Sequence, residues 1–222
     1  MIAVSRTAQV YETLRQELLN GRHAPGGKLA IDQIAARFGA STGAVREALS
    51  RLTSEHLVVA LPQRGFIVTA VSEEDLRDLT EVRIETETHC LRRSIELGGL
   101  EWEAKLIATS HMLARVAASA EGRAHPDWTR LHAEFHDDLI SACGSVWRLR
   151  LRGVLFMQAE RYRRMILPRA QATRDIDAEH RAILDHALAR NADAAVAALT
   201  EHMRHTARDL LEAGLPSVSA AA

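Results

Sequence analysis

Four histidines carry the pattern with the most chemical content. His132 and His136 stand one helical turn apart in the stripe Trp128, Leu131, His132, Phe135, His136, Leu139. His180 recurs with Ile176, Ile183, Leu184 and Ala187, and His202 with Leu199, Met203, Thr206 and Leu210. Apolar residues at three- and four-residue spacing mark the inward face of a helix, so each imidazole is expected inside. A single histidine on such a face is ordinarily a satisfied core residue. Four of them on three helices ask for more, because imidazoles converging within a helical bundle are a usual way to hold a transition metal. His186 falls about 120° around its helix from His180 and is set aside. His205 points further from its core stripe, and His23, His56, His89, His111 and His125 form no usable spacing.

A second polar group interrupts the stripe Leu76, Leu79, Arg83, Thr86, Glu87, Cys90. Arg83 and Glu87 are four residues apart and can pair. Two readings stay open here: an ion pair that satisfies itself, or side chains that contact a ligand. Near the N-terminus the candidates are of another kind. Ser41, Thr42, Gly43, Ala44 and Arg46 open one helix, and Arg64 sits in a turn between two β-rich runs. Arginine can donate a bidentate pair to guanine, and hydroxyls serve phosphates or bases. The bland alternative for Arg46 and Arg64 is an ordinary solvated charge.

The elements that must position these residues can be read from periodicity. Val10, Leu14 and Leu18 predict a helix over 7–20, and Asn20-Gly21 ends it. Pro25-Gly26-Gly27 reads as a loop, and a short helix is expected from Ile31 to Phe38, closed by Gly39. Ser41 can cap the next helix, through Val45, Ala48, Leu49 and Leu52. Two short helices joined by about four residues form a helix-turn-helix. Val58–Leu61 and Phe66–Thr69, joined by Pro62-Gln63-Arg64-Gly65, predict a hairpin. Three helices and a hairpin describe a winged helix, whose second motif helix enters the major groove. From residue 72 onward no β-rich segment occurs. Ser72-Glu73-Glu74-Asp75 has the form of a capping box that starts a helix to about Leu97. Further helices are expected near 101–120, 127–142, 145–167, 174–190 and 193–213, with Gly98-Gly99, Gly122, Pro126, Gly144, Pro168 and Asn191-Ala192-Asp193 as punctuation. The fold class is therefore mainly α: an N-terminal winged helix-turn-helix and an all-helical bundle of about six helices. The expected domains are 1–71, 72–215 and a small polar tail, 216–222.

Two stretches resemble known families. Residues 8–70 are similar to the head of the GntR family of regulators, through VYETLRQELLNGRHAPGGKL, IAARFGAS, VREALSRL and the wing RGFIV. The resemblance implies that Thr42, Gly43, Arg46, Arg64 and Gly65 occupy DNA-contacting positions. The chain departs from the family at three places: Thr42 and Asp32 stand where arginine is common, and Ala44 where proline is usual. Residues 72–213 resemble the FCD effector domain of the FadR-like subfamily, through EVRIETE, LHAEFHDDLISACGS and EHRAILDHALARNADAAVAALTEHM. That resemblance implies a divalent metal held by D-x-x-x-H on one helix and a histidine on each of two later helices. The matching positions are His132, His136, His180 and His202, with His132 in the place of the aspartate. Four neutral ligands favour zinc, nickel, cobalt or iron over magnesium or calcium, with zinc or nickel foremost. Alternatively His132 swings away and three histidines remain. The resemblance further implies a small carboxylate effector on the metal, assisted by Arg83. Arg161 and Arg164 are secondary candidates for holding the acid, against the plainer reading of a solvated helix face.

Bulk properties fit this picture. The chain has 222 residues, 47% hydrophobic and 26% charged, the balance of a globular protein. Residues 1–71 carry a net charge of +3 and the remainder −4, so phosphate contact falls to the head. No apolar run approaches the ~20 residues of a membrane span, and no secretory leader is expected. Cys90 and Cys143 fall in helical apolar patterns and read as reduced core residues, which fits the cytoplasm. The function expected is a homodimeric DNA-binding regulator on an imperfect palindrome, with repression the favoured sense, a small organic acid as effector and no membrane partner. A regulator for which the ion itself is the signal is the second reading. A metal-dependent hydrolase is the remote one, since only Glu134 offers itself as a base.

Overall fold

The computed structural model describes residues 5–125, 127–166 and 174–216. Those residues form nine α-helices, one 3-10 turn and three short strands. The chain divides into two compact units: Met1–Asp78 with Phe156–Gln171 and Asp209–Ala222, and Leu79–Leu155 with Ala172–Arg208.

The first unit opens with α1 (Arg6–Leu19), α2 (Ile31–Phe38) and α3 (Thr42–Ser54). Their apolar stripes meet in one core, where Val10, Leu14, Val45, Ala48, Leu49 and Leu52 are fully buried. Gly39 ends α2 in the left-handed region (φ 56°), and its N–H reaches the Ala35 and Ala36 carbonyls, which turns the chain into α3. Ser41 caps α3, its Oγ accepting from the Ala44 N–H at 3.2 Å. Proline at position 44 has no N–H to give, so alanine there secures the cap. The hairpin pairs β2 (Val58–Leu61) with β3 (Gly65–Val68), Leu61 opposite Gly65. Gly65 takes φ 93°, open to glycine at low cost. The Pro-Gly-Gly loop leads into a strand that two residues of sequence do not announce: β1 (Lys28–Leu29) pairs with β3 and makes it the central strand.

The same unit holds the C-terminal part of α7 (Val146–Ile166). Gln158 donates to the Glu55 carbonyl at 2.7 Å, and Arg161 donates to the Thr69 carbonyl. At the start of α4 (Glu73–Leu97), Ser72 Oγ accepts from the Asp75 N–H at 3.0 Å. The expected reciprocal bond is replaced: the Ser72 N–H donates to Tyr162 Oη at 3.2 Å, and that hydroxyl donates to Asp75 at 2.6 Å. A phenol thus stands between the two halves of the capping box.

The second unit holds most of α4, then α5 (Leu100–Ala117), the 3-10 turn Gly122–Ala124, α6 (Trp128–Ile140), the first part of α7, α8 (Ile176–Leu188) and most of α9 (Ala192–Glu212). Its core joins Cys90, Leu91, Leu106, Phe135, Leu139, Ile183 and Leu199. Asp175 caps α8 through the Ala178 N–H, and Asn191 caps α9 through the Ala194 N–H. Cys90 and Cys143 are free and buried, and burial pushes the Cys90 thiol up to about 12, an inert core group. The expected punctuation at Pro126 and Pro168, and the tail beyond Pro216, lie outside the described residues. No helix among the described residues is long and apolar enough to cross a membrane.

Candidate functional site

In the second unit His132, His136, His180 and His202 come together. Each offers one ring nitrogen, and these four atoms all lie within 4.8 Å of one another. The four residues are 6, 2, 4 and 5% exposed, in that order. The α6 stripe delivers His132 and His136, with ring centroids 4.7 Å apart, and α8 and α9 deliver His180 and His202 at 4.8 Å. Trp128 stacks on His132 at 4.7 Å and 15°, which fixes the plane of that ring. Burial, followed by the neighbouring imidazoles and the Arg152 and Arg83 guanidiniums, holds His136 well below the usual histidine range. Burial and then His202 do the same to His180. Neutral imidazole is the form that ligates.

Whether a metal fits is answered by His180. Both of its ring nitrogens are buried and neither has a hydrogen-bond partner. A core histidine normally has its polar atoms satisfied. A buried ring with neither nitrogen hydrogen-bonded, packed against three other imidazoles, is what a ligand set needs. The donor chemistry, four neutral nitrogens, suits a transition ion.

Around the histidines the charges are arranged in a chain. Arg83 pairs with Glu87 at 2.9 Å, and Arg152 reaches the other Glu87 oxygen at 3.3 Å and also Asp137. Glu87 is 1% exposed and lies between two guanidiniums, so it orients them. The α4 stripe marks Arg83 and Glu87 in the sequence, and nothing comparable marks Arg152. In VWRLRLRG, arginine and leucine alternate, and helical periodicity does not single out the arginine that turns inward. Arg161 and Arg164 belong to the first unit instead. Arg161 is 1% exposed and bonded to Thr69, and Arg164 donates to Asn20 at 3.3 Å and faces Glu160. They are not part of the histidine cluster, and the solvated face expected for Arg161 is corrected: its guanidinium holds a backbone carbonyl. Glu134 pairs with Arg130 at 2.9 Å at the surface and is no base for a buried site.

A carboxylate with no mark in the sequence adjoins the cluster. Glu179 accepts from His202 Nδ1 at 2.9 Å and from His205 Nδ1 at 3.2 Å, and Arg174 grips both its oxygens at 2.6 Å. Burial opposes its ionisation, but the His202 and Arg174 hydrogen bonds outweigh that and hold it well below the usual carboxylate range.

In the first unit, Thr42, Gly43 and Arg46 are exposed on the opening turns of α3, and Arg64 is exposed at the hairpin. Ser41 is exposed too, with its Oγ engaged in the cap. A groove of about 700 Å³ is lined by Lys28, Asp32, Arg46, Pro62, Gln63, Arg64 and Gly65 among others. Three cations face one acid there, and Lys28 enters through the short β1 strand.

This is the anatomy of a winged-helix DNA-binding regulator that carries a helical domain with a buried imidazole cluster. Residues 6–68 match the model for the gntR family of bacterial regulatory proteins, and residues 78–205 match the FCD domain. The chain belongs to this family of GntR regulators with an FCD domain. It is 38% identical to the HTH-type transcriptional regulator BphR of Paraburkholderia xenovorans (strain LB400), over 92% of this chain and 85% of the relative. It is 31% identical to the HTH-type transcriptional repressor GlaR of Escherichia coli (strain K12), over 87% and 90% of the two chains. Among solved structures, E. coli McbR/YncC aligns with a TM-score of 0.76 over 94% of this chain and 98% of that one. At 20% identity, that likeness speaks for the fold. The matched families and relatives are regulators, and the hydrolase alternative is dropped.

Proposed function

We propose that this transcriptional regulator acts in the cytoplasm as a homodimeric repressor that leaves its operator, an imperfect palindrome, when a small carboxylate binds at a metal in the FCD domain. The observation that carries the reading is the cluster of four buried imidazoles, with neither His180 nitrogen hydrogen-bonded, next to the Arg83–Glu87–Arg152 chain. His132, His136, His180 and His202 would hold zinc or nickel. When bound, the ion supplies a positive, Lewis-acidic point to which a carboxylate oxygen can attach. Arg83 supplies a guanidinium for the acid, held in place by Glu87. In the head, Arg46 and the first turn of α3 would face base edges, and Arg64 and Gly65 the backbone or minor groove. The acid shifts the equilibrium only by binding one arrangement of the heads better than the other.

One observation favours the second reading, in which the ion is itself the signal. Four protein nitrogens come together, enough to fill the coordination of a structural or sensing site without an outside ligand. Fluorescence anisotropy on the DNA flanking the gene separates the two. The protein is titrated in EDTA, with ZnCl2 or NiCl2, and with metal plus a panel of carboxylates. Release only with metal and acid together supports the effector reading, and a response to metal alone supports the sensor. Equal binding in every condition refutes both.

A further inference from the structure

We infer that Glu179 is a positioning residue for His202, fixing the imidazole proton on Nδ1 and leaving the Nε2 lone pair as the donor that His202 brings to the four-histidine centre. This rests on the metal-centre reading above. The argument begins with the 2.9 Å contact between His202 Nδ1 and Glu179 Oε2. An ionised carboxylate can only accept, so the proton of a neutral ring must be on Nδ1. Arg174 Nη2 is also 3.2 Å from that nitrogen, which allows the opposite assignment in principle. There the Nδ1 lone pair would face a carboxylate lone pair at 2.9 Å. Arg174 has better acceptors in Glu179 Oε2 at 2.6 Å, Thr206 Oγ1 at 3.1 Å and the His202 carbonyl at 3.2 Å. The Nδ1–H tautomer gives the Nδ1 proton an acceptor in Glu179 and leaves Arg174 its oxygen acceptors, whereas the alternative sets two lone pairs against each other.

The carboxylate is itself held. Oε1 takes Arg174 Nε at 2.6 Å and His205 Nδ1 at 3.2 Å, while Oε2 takes Arg174 Nη2 and His202. Turning it away from His202 would break the Arg174 fork as well. Glu179 is also the neighbour of His180 on α8, so one turn of helix supplies a ligand to the cluster and a carboxylate to its α9 partner. A carboxylate on the far nitrogen raises the basicity of a ligating imidazole. In this chain that matters more than usual. His132 is an imidazole, so the four candidate ligands carry no negative charge, and Glu179 places one a single hydrogen bond away.

The test uses the full chain, stripped with chelator, and Co2+ as the probe, read by its visible spectrum. Histidine ring nitrogens are followed by NMR in the stripped protein, where no metal is needed. Glu179→Ala is expected to weaken Co2+ binding about 10- to 100-fold and to release His202 from a single Nδ1–H tautomer. Glu179→Gln keeps an accepting oxygen and should keep the tautomer and recover part of the affinity. If the alanine variant does not fold, the wild-type tautomer and the glutamine variant carry the test. Alanine binding Co2+ as wild type does, or binding it more weakly with the tautomer unchanged, overturns the inference. So does an Nε2–H ring in the stripped wild type. Failure of the wild type to take up Co2+ would instead sink the metal centre, while an Nδ1–H ring lost in Glu179→Ala would still uphold the hold of Glu179 on His202.

Discussion

Replacing His180 with leucine separates a metal centre from an ordinary core by the sign of a stability change. His180 is 4% exposed with neither ring nitrogen hydrogen-bonded. A buried polar group left unpaired costs about 1–3 kcal/mol. Leucine is comparable in bulk and has no polar atom, and the site already offers it the Phe135 ring, whose centroid is 5.0 Å from that of His180. Imperfect fit takes back part of the gain, typically under about 1.5 kcal/mol for a volume-conserving change. The chelated variant should therefore be more stable than wild type by roughly 1 kcal/mol, about 2–4 °C in Tm for a chain of this size. With metal the order reverses. Wild type gains about 4 kcal/mol when the free ion is a thousandfold above Kd, and a three-imidazole variant gains less. Calorimetric melts in EDTA and in ZnCl2 should cross. A leucine variant that melts below wild type in EDTA would show that His180 is a satisfied core residue, and the argument from its unpartnered nitrogens would fall.

Three further outcomes follow from other parts of the molecule. Trp128 stacks on His132, so metal uptake should change its fluorescence. The change should survive Trp147→Phe, since Trp147 is 76% exposed, and disappear in Trp128→Phe. In the head, Arg37 and then His23 hold the buried Glu17 carboxyl at about 2 against burial. Its folded pKa lies below the unfolded one, so its stabilisation is complete above about pH 4.5 and is lost as pH falls towards 2. Glu17→Gln should flatten acid unfolding of the head over that window, by about 1–2 kcal/mol once solvent screening of the half-exposed Arg37 is counted. On DNA, Lys28→Gln should weaken binding alike on all duplexes and lower the salt slope by about one, whereas Arg46→Ala should cost about 1–3 kcal/mol and relax sequence preference. Equal salt slopes for Lys28→Gln and wild type, on a mixed-sequence duplex, would remove Lys28 from the DNA face.

The helices were legible because the apolar stripes are long. The expected second helix, Ile31 to Phe38, agrees end for end with the structure, and most later bounds fall within a few residues. Periodicity also told which face each histidine takes. It could not place α6, α8 and α9 against one another, which is a matter of packing, so convergence was an expectation until the rings were seen together. What was missed has a common cause. β1 is two residues long and exists only because β3 has a free edge. Arg152, Tyr162 and Glu179 act through partners distant in sequence, as Arg174 does towards His202 and Thr206. A polar side chain has no periodic signature that reveals where a carbonyl or carboxylate will wait for it, so a buried arginine and a solvated one look alike in the sequence.

Residue 132 is where the two functional readings part, and the reason is charge and shell size together. An aspartate would bring the ion a negative charge, whereas an imidazole leaves its double charge intact. Close by, Arg83 and Arg152 share the fully buried Glu87, and Asp137, which also takes Arg152, is mostly exposed. Loading the four-histidine set would therefore create a positive centre that the protein's own acids only partly offset, Glu179 acting through His202 and Glu87 through its arginines. An anionic effector would relieve that surplus, which favours the acid-responsive reading. The same four nitrogens can also close a tetrahedral shell, and then an acid must displace one of them to enter. His132 is the natural one to yield: it stacks on Trp128, which can keep the ring when the metal releases it. A centre that would hold the ion with four imidazoles, and with three once an acid is bound, would reconcile the closed ligand set with an effector site.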